Sequence, residues 1–174
     1  MLKKSNLNKS KENLLYNNML LLSRNKLFYT KLNLADTFQN RINLIFVHIS
    51  FLFIKIKQSK NNHFYKAFYQ NLFDLIFKKI EMNMREIGHG DVTVNKNMKF
   101  LVKNFYNILL KCEDYKKNDK SSKITFFSKF LTYDKNEKTF DNIDLIEYFD
   151  KYERFCIDLN PDSVLKGNLN FNYK

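Results

Sequence analysis

The chain has 174 residues, 44% apolar and 16% aromatic, with 30 Lys and Arg against 18 Asp and Glu, a formal charge of +12. That length supports one domain with a buried core, and the apolar share excludes an intrinsically disordered chain. Two cysteines, Cys112 and Cys156, exclude a disulfide scaffold and make a reduced compartment the default.

A single proline and three glycines leave little material for turns, and apolar residues recur at helical intervals. Asn13–Asn25 reads as a first helix with Leu14, Leu15, Met19 and Leu22 inward. Thr37 caps a second, running to about Lys57, whose Ile42, Ile45, Phe46, Ile49, Phe53 and Ile56 share one face. Its apolar run, Ile42–Ile54, is broken by Asn43, His48 and Ser50. It falls short of the roughly 20 residues a membrane span needs, so it reads as a buried core helix. After a break at Asn61-Asn62, a third helix runs from about His63 to Ile87. Phe73, Phe77, Ile80, Met84 and Ile87 form its inner face. Asp74–Lys78 and Glu81–Arg85 are i,i+4 pairs with the acid first, the better orientation.

Gly88-His89-Gly90-Asp91 then makes a turn, with Gly88 at positive φ just past a helix end. Thr93 or Asn95 starts a fourth helix with Met98, Leu101, Val102, Phe105, Leu109 and Cys112 inward. Lys116–Lys123 reads as a polar linker, Ile124–Tyr133 as a short fifth helix. Asp141, with Asp144 behind it, caps a sixth over Asn142–Ile157, which Asn160-Pro161-Asp162 ends. Val164–Lys174 is a tail that Leu165 and Phe171 can pack. The expected architecture is an all-α, single-domain bundle of about six helices. Residues 1–12 form a basic, flexible N-terminus, 13–159 the helical domain and 160–174 the C-terminal tail.

The chemistry is sparse. Gly88-x-Gly90 lacks the longer glycine pattern and Lys-Ser/Thr pair of a P-loop, so a helix–helix turn outweighs a phosphate cradle. His48 reads as a satisfied core histidine and His63 as exposed. Cys112 and Cys156 lack a C-x-x-C partner and read as small packing residues, with no metal site. The acids Asp141, Asp144, Glu147, Asp150 and Glu153 make a solvated face. Phe64-Tyr65-Lys66 and Phe68-Tyr69 read as core and rim before base-stacking. No nucleophile motif is present, so no enzyme and no cofactor is expected.

Charge is unevenly placed. Residues 1–70 carry a net +10, residues 71–110 a net +2 and residues 111–174 a net zero. With 26 Lys and 4 Arg beside many Phe, Tyr and Asn, part of this is compositional bias. A basic N-terminal half still suits an anionic surface, lipid or RNA, against the plainer reading of solvated lysines. The start lacks a secretory h-region. It is basic and acid-poor like a transit peptide, but ordered patterning begins by about Leu15, leaving too little chain for one.

Order and spacing of several short motifs resemble a known family. Leu72-Phe73-Asp74 stands within the third helix. Met84-Arg85-Glu86-Ile87-Gly88-His89-Gly90-Asp91 matches an L-R-E-M-G-x-G-D block, and Val94 to Phe105-Tyr106 matches the helix that follows. Upstream, Phe28-Tyr29, Asp36-Thr37, Arg41 and His48 fit F-Y … D-T-x-x-x-R … H. Downstream, Ile146 to Tyr152 and Leu165-x-Gly167 match loosely. The chain is similar to the ubiquinol–cytochrome c chaperones, well over residues 16–112, and in length to their short bacterial members. It departs from them in Asn107 and Asn40, where glycine is usual, in the polar His89, and in Thr132-Tyr133 for an Arg-Asn pair.

The resemblance implies an assembly chaperone for ubiquinol–cytochrome c reductase, respiratory complex III, acting on newly made cytochrome b or its assembly intermediates. It implies a small helical partner protein and the ribosome as further contacts, and no DNA. The expected place is the cytoplasm, peripheral to the inner membrane on its anionic surface, or else the mitochondrial matrix. The candidate partner-binding residues are Arg85, Glu86, Gly88, Gly90, Asp91, Lys96, Phe105, Tyr106, Asp36 and Arg41. The other reading of the same residues is a basic RNA- or ribosome-associated helical protein; a third is a small helical enzyme that takes a phosphorylated substrate at the Gly88–Asp91 turn.

Overall fold

The computed structural model describes residues 10–57, 62–134 and 143–173, and the side chains of all but 62–64 among these. Among the described residues eight α-helices follow in order: α1 (Lys11–Ser23), α2 (Leu27–Thr30), α3 (Phe38–Lys57), α4 (Asn62–Glu86), α5 (Asp91–Glu113), α6 (Lys120–Phe130), α7 (Ile143–Asp158) and α8 (Pro161–Leu165), with a 3-10 turn at Tyr115–Lys117. Among the described residues no strand forms; one isolated bridge joins Leu34 to Tyr133. The all-α bundle is as expected, its six longer helices accompanied by two short ones, α2 between α1 and α3 and α8 after α7.

The bundle is arranged around α3. Fourteen of its 20 residues are buried, and it packs against α1, α4, α5 and α7. A helix apolar on nearly every side belongs inside a protein. Its polar residues must therefore be satisfied internally. Ser50 Oγ donates to Phe46 O at 2.7 Å, and Asn43 Oδ1 accepts from Asn104 Nδ2 at 2.7 Å and from Gln39 Nε2 at 2.9 Å. Thr37 Oγ1 accepts from Asn40 N–H at 3.2 Å, the expected cap. No helix of the described residues is long and apolar enough to cross a membrane.

His48 is fully buried, as read from its place on the apolar stripe. Its Nδ1 lies 2.6 Å from Leu44 O, an acceptor only, so Nδ1 carries the proton. Nε2 then accepts from Tyr148 O–H at 2.8 Å, tying α3 to α7. Burial pushes the imidazole pKa down to about 4. Cys112 and Cys156 are buried free thiols, their pKa values raised by burial.

Several expectations are corrected. Leu14 is 47% exposed, because α1 buries a face centred on Leu15, Tyr16, Met19 and Ser23. Ile87 is 63% exposed; α4 ends at Glu86 and the turn carries Ile87 off the inner face. The start of α5 is Asp91, not Thr93 or Asn95, because Gly90 is its extended N-cap and its carbonyl accepts from Val94 N–H at 3.0 Å. Lys116–Lys123 is not a linker: Asp119 caps α6 through Ser122 N–H at 2.8 Å, so the helix starts at Lys120, with Lys120, Ser121 and Ser122 exposed and Lys123 paired with Asp150 at 2.7 Å. Asn160 does more than end α7. Its side chain accepts from Asp162 N–H at 2.9 Å and caps α8, with Pro161 at the first helical position. Asp141 and the side chain of His63 lie outside the described residues.

The C-terminal residues close the core. Asn18 Nδ2 donates to Gly167 O at 2.8 Å, and Phe171 packs on Tyr148 and Tyr152 with ring centroids 5.6 and 5.0 Å apart. Gly167 sits at φ +78°, and a Cβ there would lie 2.8 Å from Lys11 O and 2.9 Å from Leu14 Cβ.

Candidate partner-binding site

The α4–α5 turn is built by its backbone. Gly88 takes φ +93°. Gly88 N–H donates to Arg85 O at 3.0 Å and His89 N–H to Met84 O at 3.1 Å. These two bonds are the Schellman motif, which satisfies carbonyls that the last helical turn leaves open. His89 occupies the position where an apolar residue usually closes that motif, so hydrogen bonding holds the turn here. Gly90 has ordinary extended φ, and nothing lies within 4 Å of a Cβ built on it.

On this turn Arg85 links two helices. Nε and Nη2 donate to Glu81 Oε1 at 3.1 and 2.9 Å, and Nη1 donates to Asp91 Oδ1, the first residue of α5. The hydrogen bonds to Asp91 and Glu81 raise the guanidinium pKa. Asp91 also suits the positive end of the α5 dipole. Glu86 is exposed on the last residue of α4, and Lys96 is exposed on α5. All of these side chains face solvent, so the corner is a charged surface whose arginine is paired with two carboxylates.

The other expected residues fall elsewhere. Asp36 and Arg41 make a second ion pair at the head of α3, with Nε to Oδ1 at 2.6 Å and Nη2 to Oδ2 at 2.8 Å. The bidentate bond from Arg41 holds the Asp36 carboxyl below its usual range. Phe105 is buried and cannot face a partner: its ring packs edge-on to Phe46 at 5.3 Å and to Phe73 at 5.5 Å. It supports α4 against α5 from within. Tyr106 beside it is half exposed and lies 6.0 Å from the Phe73 ring. Among the described residues no cluster of three or more His, Cys, Asp or Glu could hold a metal ion.

A family described as ubiquinol–cytochrome C chaperone matches residues 30–125, more than half of the chain. The chain belongs to this family. The matched span contains the Asp36–Arg41 pair, the whole of α3, α4 and α5, and the Arg85 corner. The crystal structure of the Cbp3 homolog from Brucella abortus superposes with a TM-score of 0.79 at 21% identity, covering 98% of this chain and 93% of that one. At that identity the likeness is one of fold. A search of curated proteins finds no match.

Within the chaperone family pattern, two departures turn out to meet. Asn40, where glycine is usual, sends Nδ2 to Ala35 O and to Thr132 O, both at 2.7 Å, and its Oδ1 accepts from Thr132 N–H at 2.9 Å. Asn107 is exposed, so it does not hinder the approach of α4 to α5. Sequence reasoning missed Val92, Phe100 and Leu110, apolar residues left in solvent on α5. The signal was available: plotted at 3.6 residues per turn, they fall opposite the buried Val94, Leu101, Phe105, Ile108 and Cys112.

Proposed function

We propose that this chaperone acts in assembly of ubiquinol–cytochrome c reductase by holding newly made cytochrome b or an early intermediate, with the Arg85 corner as a contact to client or partner protein. Family membership supports the reductase. The observation that supports the corner is Arg85 itself, fixed between Glu81 and Asp91 while still facing solvent. Its planar fork is oriented in advance, which lowers the entropy lost when it meets a partner carboxylate. The apolar faces of α4 and α5 are complete without it, so packing does not require an arginine there. A small helical partner protein, the ribosome and a peripheral place on the inner membrane belong to the same reading.

The test is affinity purification of the tagged chain from solubilised membranes, with cytochrome b as the readout. Recovery of cytochrome b in a reductase-assembling cell, lost with Arg85→Ala at unchanged protein level, supports the reading. Recovery of RNA or ribosomal proteins without cytochrome b would replace it with the ribosome-associated alternative.

A further inference from the structure

We propose that the outer face of α5 is a membrane-contacting surface for anionic lipid. Val92, Phe100 and Leu110 are 85%, 58% and 62% exposed, and Tyr106 is half exposed beside them. At 3.6 residues per turn these four fall on the solvent side of one helix, along roughly 27 Å of its length. Lys96, Lys99 and Lys103 run along the same face, all exposed. Between Asp91 and Glu113 the helix has no acidic residue. Those two end residues are already bound, Asp91 by Arg85 and Glu113 by Lys57 at 3.0 Å. The face is therefore apolar and cationic at once, without a neutralising partner of its own.

That combination selects the occupant. A basic face carrying aromatic and aliphatic side chains suits a bilayer surface, where the rings and Leu enter the interface and the lysine stems extend to head-group phosphates. A second copy of the chain would set lysine against lysine across a two-fold axis. Nucleic acid would use the lysines and the two rings but leave Val92 and Leu110 in water. The inference extends the chaperone reading, on which its purpose rests. Its test reads lipid binding alone, so each can fail without the other.

The chain has no tryptophan, so Phe100→Trp supplies a single fluorescent probe. With vesicles of phosphatidylcholine and phosphatidylglycerol its emission should shift to the blue and be quenched by brominated acyl chains; with phosphatidylcholine alone it should not. Lys96→Gln/Lys99→Gln/Lys103→Gln should weaken binding to the anionic vesicles by on the order of a hundredfold, about fivefold per lysine. Lys26→Gln/Lys31→Gln/Lys66→Gln removes the same charge from exposed positions elsewhere and should cost far less. Equal losses in the two triple variants, or no blue shift, would overturn the proposal. Tighter binding of a poly(U) strand than of vesicles, lost in the α5 variant, would overturn it in favour of RNA.

Discussion

Asn40 and Thr132 stand 92 positions apart and bond to each other in both directions: Asn40 Nδ2 donates to Thr132 O at 2.7 Å, and Thr132 N–H donates to Asn40 Oδ1 at 2.9 Å. The carboxamide acts as one more peptide unit, pinning the chain after α6 to the first turn of α3. Its three short bonds are to backbone atoms and the Thr132 hydroxyl donates to Oδ1 only at 3.3 Å, so residue 40 matters and the side chain at 132 matters little. Asn40→Gly should cost about 2 kcal/mol in urea unfolding, and Thr132→Ala under about 0.5 kcal/mol. Equal losses would show that the threonine hydroxyl is the important contact.

Stability should fall on mild acidification. In the unfolded chain His48 titrates near its ordinary 6.5, and in the fold near 4. Between those values the unfolded state takes a proton that the folded state refuses, so stability is full above pH 6.5 and declines toward pH 4. The whole difference is about 3 kcal/mol, and roughly 2 kcal/mol of it should be lost between pH 6.5 and pH 5. Denaturant curves at the two pH values measure it. His48→Gln should be less stable at neutral pH but lose much of that slope.

Tyr148→Phe leaves His48 Nε2 without a donor inside the core. It should destabilise by about 1–2 kcal/mol at pH 7. If melting is unchanged, the hydroxyl does not serve the ring.

The two glycines of the α4–α5 turn should respond differently. Gly88→Val forces a β-branched residue to positive φ and should cost roughly 1–2 kcal/mol. Gly90→Ala should be close to neutral, since its φ is ordinary and space for a Cβ is open. A matching loss in both would mean the turn is strained at Gly90 as well.

Arg85→Lys keeps the charge and loses the fork that reaches Glu81 and Asp91 together. Exposed ion pairs add little to stability, so the melting temperature should stay near wild type while complex III assembly falls. Haem b content and reductase activity of membranes, beside protein level, give the readout. Normal assembly with Arg85→Ala would remove the corner from the functional surface.

The six long helices were legible because each has a core face repeated over several turns, as in Phe73, Phe77, Ile80 and Met84. Gly88 was legible for a related reason: in so glycine-poor a chain its placement after such a face has one economical explanation. What failed lay at the ends of elements. Ile87 continues the spacing of the α4 face, yet the Schellman bonds begin one residue later and lift it out, and periodicity cannot see a hydrogen bond. The first turn of α6 is Lys-Ser-Ser-Lys, with no apolar residue to mark it, and only the Asp119 cap shows that the helix has begun. Arg85, Glu86, Gly88 and Asp91 were picked out as one group and form one corner. Phe105 belongs to the motif of the helix that follows, and its position on the buried face of α5 makes it a support.

The seating of Gly167 on α1 sets an order of events during synthesis. Once α1 is made, its Leu14 and Lys11 backbone wait for a glycine more than 150 residues downstream, and the ring of Phe171 closes over Tyr148 and Tyr152 later still. While Gly167 and Phe171 remain in the exit tunnel, α1 has no lid and the aromatic cluster around His48 stays open to water on that side. Completion of this core therefore waits until Gly167 and Phe171 have left the tunnel. A nascent chain stalled short of residue 167 should be digested by protease at α1, and one released past residue 171 should not.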